Sequence, residues 1–265
     1  MGYNGINLMN KMHLTGLFVG LLAAPLAAQD YAVDLPSDLA QIAVASALWL
    51  GPELALDGLV RKDCPCERSA VNSLDRPYAG RRNDQIATDS NSFVGLLALA
   101  PVSWLAIAPH DTLGDAIVIV KSLVVNGALN EVTKVSIQRP RPLLYGVEDG
   151  DAALQKPDNY LSFYSAHTSN VMAAGMSFAH AVNMRYPGSA VSIAAYAGAF
   201  VATAAVGTMR VQSGKHFPTD VLFGAAVGGV VGTVVPFMQN QAGPKHVRVF
   251  VVPYGLAMTM DVDGR

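Results

Sequence analysis

The stretch SAVSIAAYAGAFVATAAVGTMRVQSGKHFPTDVLFGAAVGGVVGTVVPFM, residues 189–238, reads as two apolar segments around a charged turn. Ala-rich segments favour helix by propensity, and neither shows the strict alternation of a half-buried strand. Ser189 suits the cap of the first helix, Ser189–Thr208, and Pro218 suits the first position of the second, Pro218–Met238. Between the two apolar segments, Arg210, Lys215, His216 and Asp220 crowd into a few positions. That placement calls for a chemical reason.

Outward from this pair, four more segments read as helix: Asp38–Trp49, Ser92–Ala108, Gly114–Val135 and Ser165–Asn183. The expected fold is an all-α bundle of about six helices. Polar loops, residues 59–91 and 139–164, separate them. After Pro244 the chain turns to β-branched residues with a Pro-Tyr-Gly turn signal, which predicts a short β-hairpin over 245–265. Lys11 and His13 precede the apolar run Leu14–Ala24, and small residues follow, so residues 1–28 read as a signal peptide. The helical domain then covers residues 29–244. Cys64 and Cys66 read as a local loop staple or as two free thiols.

Only 14% of the 265 residues are charged, against about 25% in soluble domains. The chain is therefore a membrane protein or a bundle of tightly packed, Ala-rich helices. A net charge of -2 supplies no basic field for a nucleic acid partner. Asp115, Lys121 and Asn126 in the third helix are costly in lipid, and Pro101 interrupts the second. A cleaved signal followed by six spans would also leave the loop after the third helix in the cytoplasm. These points favour a soluble protein exported to the periplasm; an integral-membrane form is the alternative.

Three patches carry chemistry. In KVSIQRPRP, Lys134 and Arg141 are seven residues apart, and the prolines stop the helix before Arg141. In FYSAHTSN, Ser165 caps a helix whose first turn holds His167, and such a helix start suits an anion. In the third patch, Asp220 can reach back from the first helical turn to one nitrogen of His216, leaving the other free to attack. Arg210 lies six residues before His216. Two helix starts, two imidazoles, one carboxylate and three cations suit nucleophilic and acid–base catalysis on a tetrahedral oxyanion. Cations can neutralise a phosphoryl group where no metal-ligand cluster is evident, so no cofactor is expected.

On these residues the chain resembles the type-2 phosphatidic acid phosphatase superfamily, which includes class A acid phosphatases and vanadium haloperoxidases. Lys134 to Pro142 matches its K-x6-R-P motif, and Arg210, His216 and Asp220 match the spacing of S-R-x5-H-x3-D. The signature region spans about residues 90–237. The middle motif, P-S-G-H, departs: it reads Tyr164-Ser165-Ala166-His167, and Met209 stands where the family has Ser. The resemblance implies a phosphohistidine intermediate on His216, oriented by Asp220. His167 would protonate the leaving alcohol and then activate water, and Lys134, Arg141, Ser165 and Arg210 would bind the phosphate. It implies a phosphorylated small molecule or a lipid phosphate, phosphatidate or a polyprenyl diphosphate, as substrate, with membrane association open. A vanadium haloperoxidase and a non-catalytic envelope protein are further alternatives. His110, His180 and His246 read as surface or core residues.

Overall fold

The computed structural model describes residues 31–64, 66–107, 112–239, 245–252 and 255–262. The expected signal segment and His110 lie outside them. Among the described residues, eight α-helical segments form six rods. Helix α1 (Leu35–Leu50) with the single turn α2 (Leu56–Leu59) makes the first, and α3 (Asp84–Leu97) with α4 (Leu99–Ile107) the second. Helices α5 (Leu113–Ile137), α6 (Ala166–Arg185), α7 (Ala190–Gln212) and α8 (Pro218–Gln239) make the rest. Strands β1 (Lys245–Val252) and β2 (Gly255–Val262) form an antiparallel hairpin, with Val249 opposite Met258. The class is all-α, with the hairpin as a minor addition.

The second rod differs from its sequence reading. Helix α3 starts eight residues before Ser92, where the Asn83 side chain accepts from the Ile86 N–H at 3.0 Å. Its first half, DQIATDSNS, is too polar to announce a helix, and only Ala87 and Ser90 of α3 are buried. The rod breaks at Ala98 because Pro101 lacks an N–H and its ring would strike the carbonyl four residues back.

Helix α6 is the hub, packed against α5, α7 and α8, while α1 packs on α5. Close approach to α8 depends on Gly224, Gly228 and Gly232, spaced one turn apart. A Cβ on Gly228 would lie 2.2 Å from the Ser169 carbonyl oxygen. Between α5 and α6, polar groups meet directly. Asn126 donates to Ser169 Oγ at 2.9 Å, and Ser177 Oγ donates to Ser122 Oγ at 2.5 Å.

The charges that spoke for a soluble protein are turned inward and paired. Arg185 meets Asp115 at 3.0 Å, and Trp104 Nε1 donates to the same carboxylate at 3.1 Å. Lys121 meets Asp38 and Gln239, each at 2.9 Å. The outer faces are apolar instead: Ile193, Phe200, Val201, Leu222 and Phe237 are each more than half exposed. Five rods (residues 35–59, 84–107, 113–144, 190–212 and 218–239) are long and apolar enough to cross a membrane. The sixth, α6, is shielded by its neighbours, which is why it tolerates so many small and polar residues. The expectation of a soluble form thus gives way to a membrane-associated one. Intramembrane charge is tolerated when paired inside a bundle, and that is its arrangement here.

The connections 60–83, 138–165 and 213–217 meet at one end of the rods. Asn83 N donates to Ser213 O at 3.1 Å and Leu143 N to Gly214 O at 3.2 Å. Gly214 has φ 73°, and a Cβ there would lie 1.8 Å from the Arg81 carbonyl, so only glycine fits this junction. At the opposite end, Gln239 ties the end of α8 to Ala32 and Asp38.

Candidate active site

Helix α5 ends at Gln138, which adopts the left-handed conformation with φ 48°. Its side chain donates to Leu59 O and Val135 O, each at 2.9 Å, and accepts from Arg61 N at 3.0 Å. This anchored stop sends Arg139-Pro140-Arg141 across the end of the bundle. Arg141 N is then held by Asn159 O at 2.8 Å.

A cavity of about 560 Å³ opens there, and Lys134, Arg141, His167, Arg210 and His216 all line it. Five of the seven residues singled out from the sequence therefore share one hollow, although 82 positions separate Lys134 from His216. The other two, Ser165 and Asp220, are fully buried behind the wall. Ser165 caps α6: its Oγ accepts from Thr168 N at 3.4 Å and sits 2.9 Å from Thr168 Oγ1. The cap leaves the N–H groups of Ala166 and His167 unpaired at a helix start on the cavity wall, an arrangement that suits an anion. Arg210 donates to Ser90 Oγ at 3.0 Å, and its buried Nε has no hydrogen-bond partner in the protein.

His216 is buried, and its Nδ1 lies 2.7 Å from the Ser162 carbonyl oxygen. A carbonyl only accepts, so the ring proton sits on Nδ1 and the Nε2 lone pair is free. Asp220 was expected to make this contact, but its carboxylate stands 3.9 Å from Nδ1. It holds the neighbourhood instead. Oδ2 accepts from Ser162 Oγ at 2.6 Å and from Phe217 N at 2.8 Å, while Oδ1 is bonded by Arg139. Burial, followed by the fields of Arg141, Arg210, Lys134 and His167, holds the His216 pKa well below the ordinary imidazole value. The ring is thus an uncharged base at neutral pH.

Sequence reasoning passed over several participants. Arg139, whose spacing from Lys134 does not fit the motif, bridges Asp220 and Asp75, the latter at 2.7 Å. Asp75 is buried and also accepts from Thr219 N at 3.1 Å, Thr219 Oγ1 at 2.5 Å and Asn72 at 2.7 Å. Burial opposes its charge, but these donors, Arg139 first, hold its pKa below the usual carboxylate value. Asn91 of α3 accepts from His167 Nε2 at 2.7 Å. Only the Asn83-capped start of α3 could have hinted that this helix reaches the site. Cys64 and Cys66 form a disulfide. His180 is a packed residue, edge-on to Tyr196. Among the described residues, no cluster of three or more His, Cys, Asp or Glu side chains is placed to hold a metal ion.

A helical bundle with a buried neutral imidazole facing three fixed cations defines a phosphatase-type site, that of a phosphoric monoester hydrolase. The PAP2 superfamily model matches residues 115–244, and the chain belongs to that superfamily. Two solved structures are similar in fold. One is the first transmembrane PAP2 type phosphatidylglycerolphosphate phosphatase from Bacillus subtilis, 18% identical over 78% of this chain and 97% of that one, with a TM-score of 0.47. The other is Aquifex aeolicus LpxE, 22% identical over 66% of this chain and 98% of that one, with a TM-score of 0.43. No curated protein matches the chain.

Proposed function

We propose that this protein is an integral-membrane lipid phosphatase that hydrolyses phosphate monoesters through a phosphohistidine. One observation carries the reading: a neutral imidazole with its Nδ1 proton fixed and Nε2 free lies in the same cavity as Lys134, Arg141 and Arg210, at the end of rods whose outer faces are apolar. His216 Nε2 attacks phosphorus while the bond to the leaving oxygen breaks. His167, held through its Nε2–H by Asn91, carries a second proton on Nδ1 once the phosphoryl dianion is bound, and gives that Nδ1 proton to the departing alkoxide, returning to neutral imidazole. The same imidazole then takes a proton from water, whose oxygen attacks phosphorus and releases orthophosphate and free His216. The three cations and the N–H groups at the start of α6 match the charge that spreads over the equatorial oxygens. Asp220 and Ser162 keep the imidazole in register.

The purified protein in detergent should release phosphate from phosphatidate without added metal and carry an acid-labile phosphoryl label when quenched during turnover. His216→Ala should abolish both while still binding orthophosphate. An unlabelled wild-type enzyme, or turnover by His216→Ala near the wild-type rate, would remove the nucleophile assignment. The Cys64–Cys66 disulfide sits in the connection at the site end and supports a site facing an oxidising compartment, the periplasm in a bacterium.

A further inference from the structure

The cavity that gathers the cations also holds a carboxylate for which the reaction has no use. Asp158 belongs to the 3-10 turn Pro157–Tyr160, between the first two motifs. Its Oδ1 accepts from Arg141 Nη2 at 2.6 Å, and its own carbonyl accepts from Arg141 Nε at 2.9 Å. The side chain is nevertheless 60% exposed and lines the cavity. One of the two edges of the guanidinium fork able to grip two phosphoryl oxygens, Nε with Nη2, is therefore already occupied by Asp158. The surrounding protein works against this charge, but Arg141 foremost, then Lys134, Lys215 and Arg210, hold the Asp158 pKa below the usual carboxylate value. It is ionised whenever the enzyme works. Glu53, from the link between α1 and α2, lines the same cavity and adds a second negative wall.

A structural reading would have Asp158 merely aim Arg141. The backbone already does that, through Arg141 N on Asn159 O at 2.8 Å and Arg141 Nε on Asp158 O. The carboxylate bond at Nη2 is additional to these. Its consequence is electrostatic: an incoming phosphoryl group must compete with Asp158 for Arg141, and each further negative charge near the fork is repelled.

We propose that Asp158 is a specificity-determining residue, a resident anion that makes the site accept monophosphates and discriminate against diphosphates. The inference rests on the phosphatase reading and selects within its substrate class: phosphatidate-like monoesters over polyprenyl diphosphates.

The test is calorimetric binding of orthophosphate and pyrophosphate in a His216→Ala background, where nothing turns over. Asp158→Asn should tighten orthophosphate on the order of tenfold and pyrophosphate by more, as the loss of a like charge near the ligand requires. Asp158→Ser, which cannot replace the carboxylate bond, should shift both in the same direction. Thermal unfolding in detergent shows that each variant is folded. In the enzyme with His216 intact, the preference for phosphatidate over a polyprenyl diphosphate should narrow. Unchanged or weaker anion binding in both variants would make Asp158 a positioning residue for Arg141 and overturn the proposal. Equal tightening of both anions would overturn its discriminating role. If neither anion binds even in the parent, the phosphatase reading itself falls, and the inference with it.

Discussion

Replacing Gly228 with Ala adds one carbon between α6 and α8, and the structure fixes what that carbon meets. It would lie 2.2 Å from the Ser169 carbonyl oxygen, 2.9 Å from the carbonyl carbon and 3.0 Å from Met172 Cβ. The first two are main-chain atoms and cannot rotate away. A carbon–oxygen contact settles at about 3.3 Å, so the helices must part by about 1 Å. Overpacking of this kind costs about 1–3 kcal/mol. The catalytic cost is larger, because α6 carries His167 in its first turn while His216 precedes α8. The two helix starts are joined by Ser165 N on Asp220 O at 3.1 Å. A displacement of about 1 Å at reacting groups costs on the order of a hundredfold in rate. Gly229→Ala is the matched control, because its Cβ would meet only Met172 side-chain atoms at 3.6 and 3.8 Å. Both variants would be purified in detergent, melted, and assayed on short-chain phosphatidate. The expected result is a lowered Tm and a kcat reduced about a hundredfold for Gly228→Ala. Gly229→Ala should match the parent or gain slightly from helix propensity. A Gly228→Ala protein with wild-type Tm and turnover would show that α6 and α8 do not pack as described.

Three further outcomes are expected. Arg139→Gln should leave the buried Asp75 and Asp220 facing each other without their shared cation and lower stability by about 3–5 kcal/mol; adding Asp75→Asn should recover part of the loss, and strict additivity of the two would argue against a shared network. Because the folded site refuses the proton on His216, the acidic limb of kcat/KM should fall below the ordinary imidazole pKa of about 6.5. By the same linkage the unfolded chain binds that proton first, so stability should fall as pH drops below about 6.5, and fall less steeply in His216→Ala; parallel curves for the two proteins would deny the depressed pKa. For topology, the disulfide at the site end predicts an outward face, whereas Arg61, Lys62, Arg68, Arg76, Arg81 and Arg82 in the same connection are the cation excess of a cytoplasmic one. Leu74→Cys, at an exposed position in a Cys64→Ser/Cys66→Ser background, should react with an impermeant maleimide in intact cells; reaction only after lysis would turn the protein over.

The local signals in the chain were legible and the convergent ones were not. Apolar length gave the helices, except where α3 begins in DQIATDSNS, because one side of that segment lines the cavity through Asp84, Ala87, Thr88 and Asn91 and most of it stays polar and exposed. Motif spacing gave the cavity-lining side chains, because each lies at a helix end whose position a Pro or a Ser announces. Ser162 carries no such mark: its carbonyl becomes the partner of His216 only after the chain returns 54 residues later. Asp75 meets Thr219 across 144 positions, from a loop that reads simply as polar. The charges in α5 misled for a related reason. Lys121 looks costly in lipid until Asp38, 83 positions away, is seen to cover it.

The membrane reading follows from where the two kinds of residue sit, independently of any relative. Asp38, Asp115, Lys121, Glu131, Arg185 and Asp220 are buried, while 28 large apolar side chains are exposed among the described residues. Full burial of one such side chain is worth about 1.5–3 kcal/mol. Leaving this set about half uncovered in water forgoes on the order of 20–40 kcal/mol, against a usual net stability of about 5–15 kcal/mol. A water-soluble bundle with the same helices would rotate α7 and α8 to hide Phe200, Val201, Leu222 and Phe237, and would bring the polar faces of α5 and α6 outward. Doing so would break the Asp115–Arg185 and Asp38–Lys121 pairs and pull His167 away from His216. The site and the apolar exterior thus require the same helix rotations, and hydrocarbon is the solvent that permits both. Recovery of active protein from the soluble fraction, without detergent and as a monomer, would break that linkage.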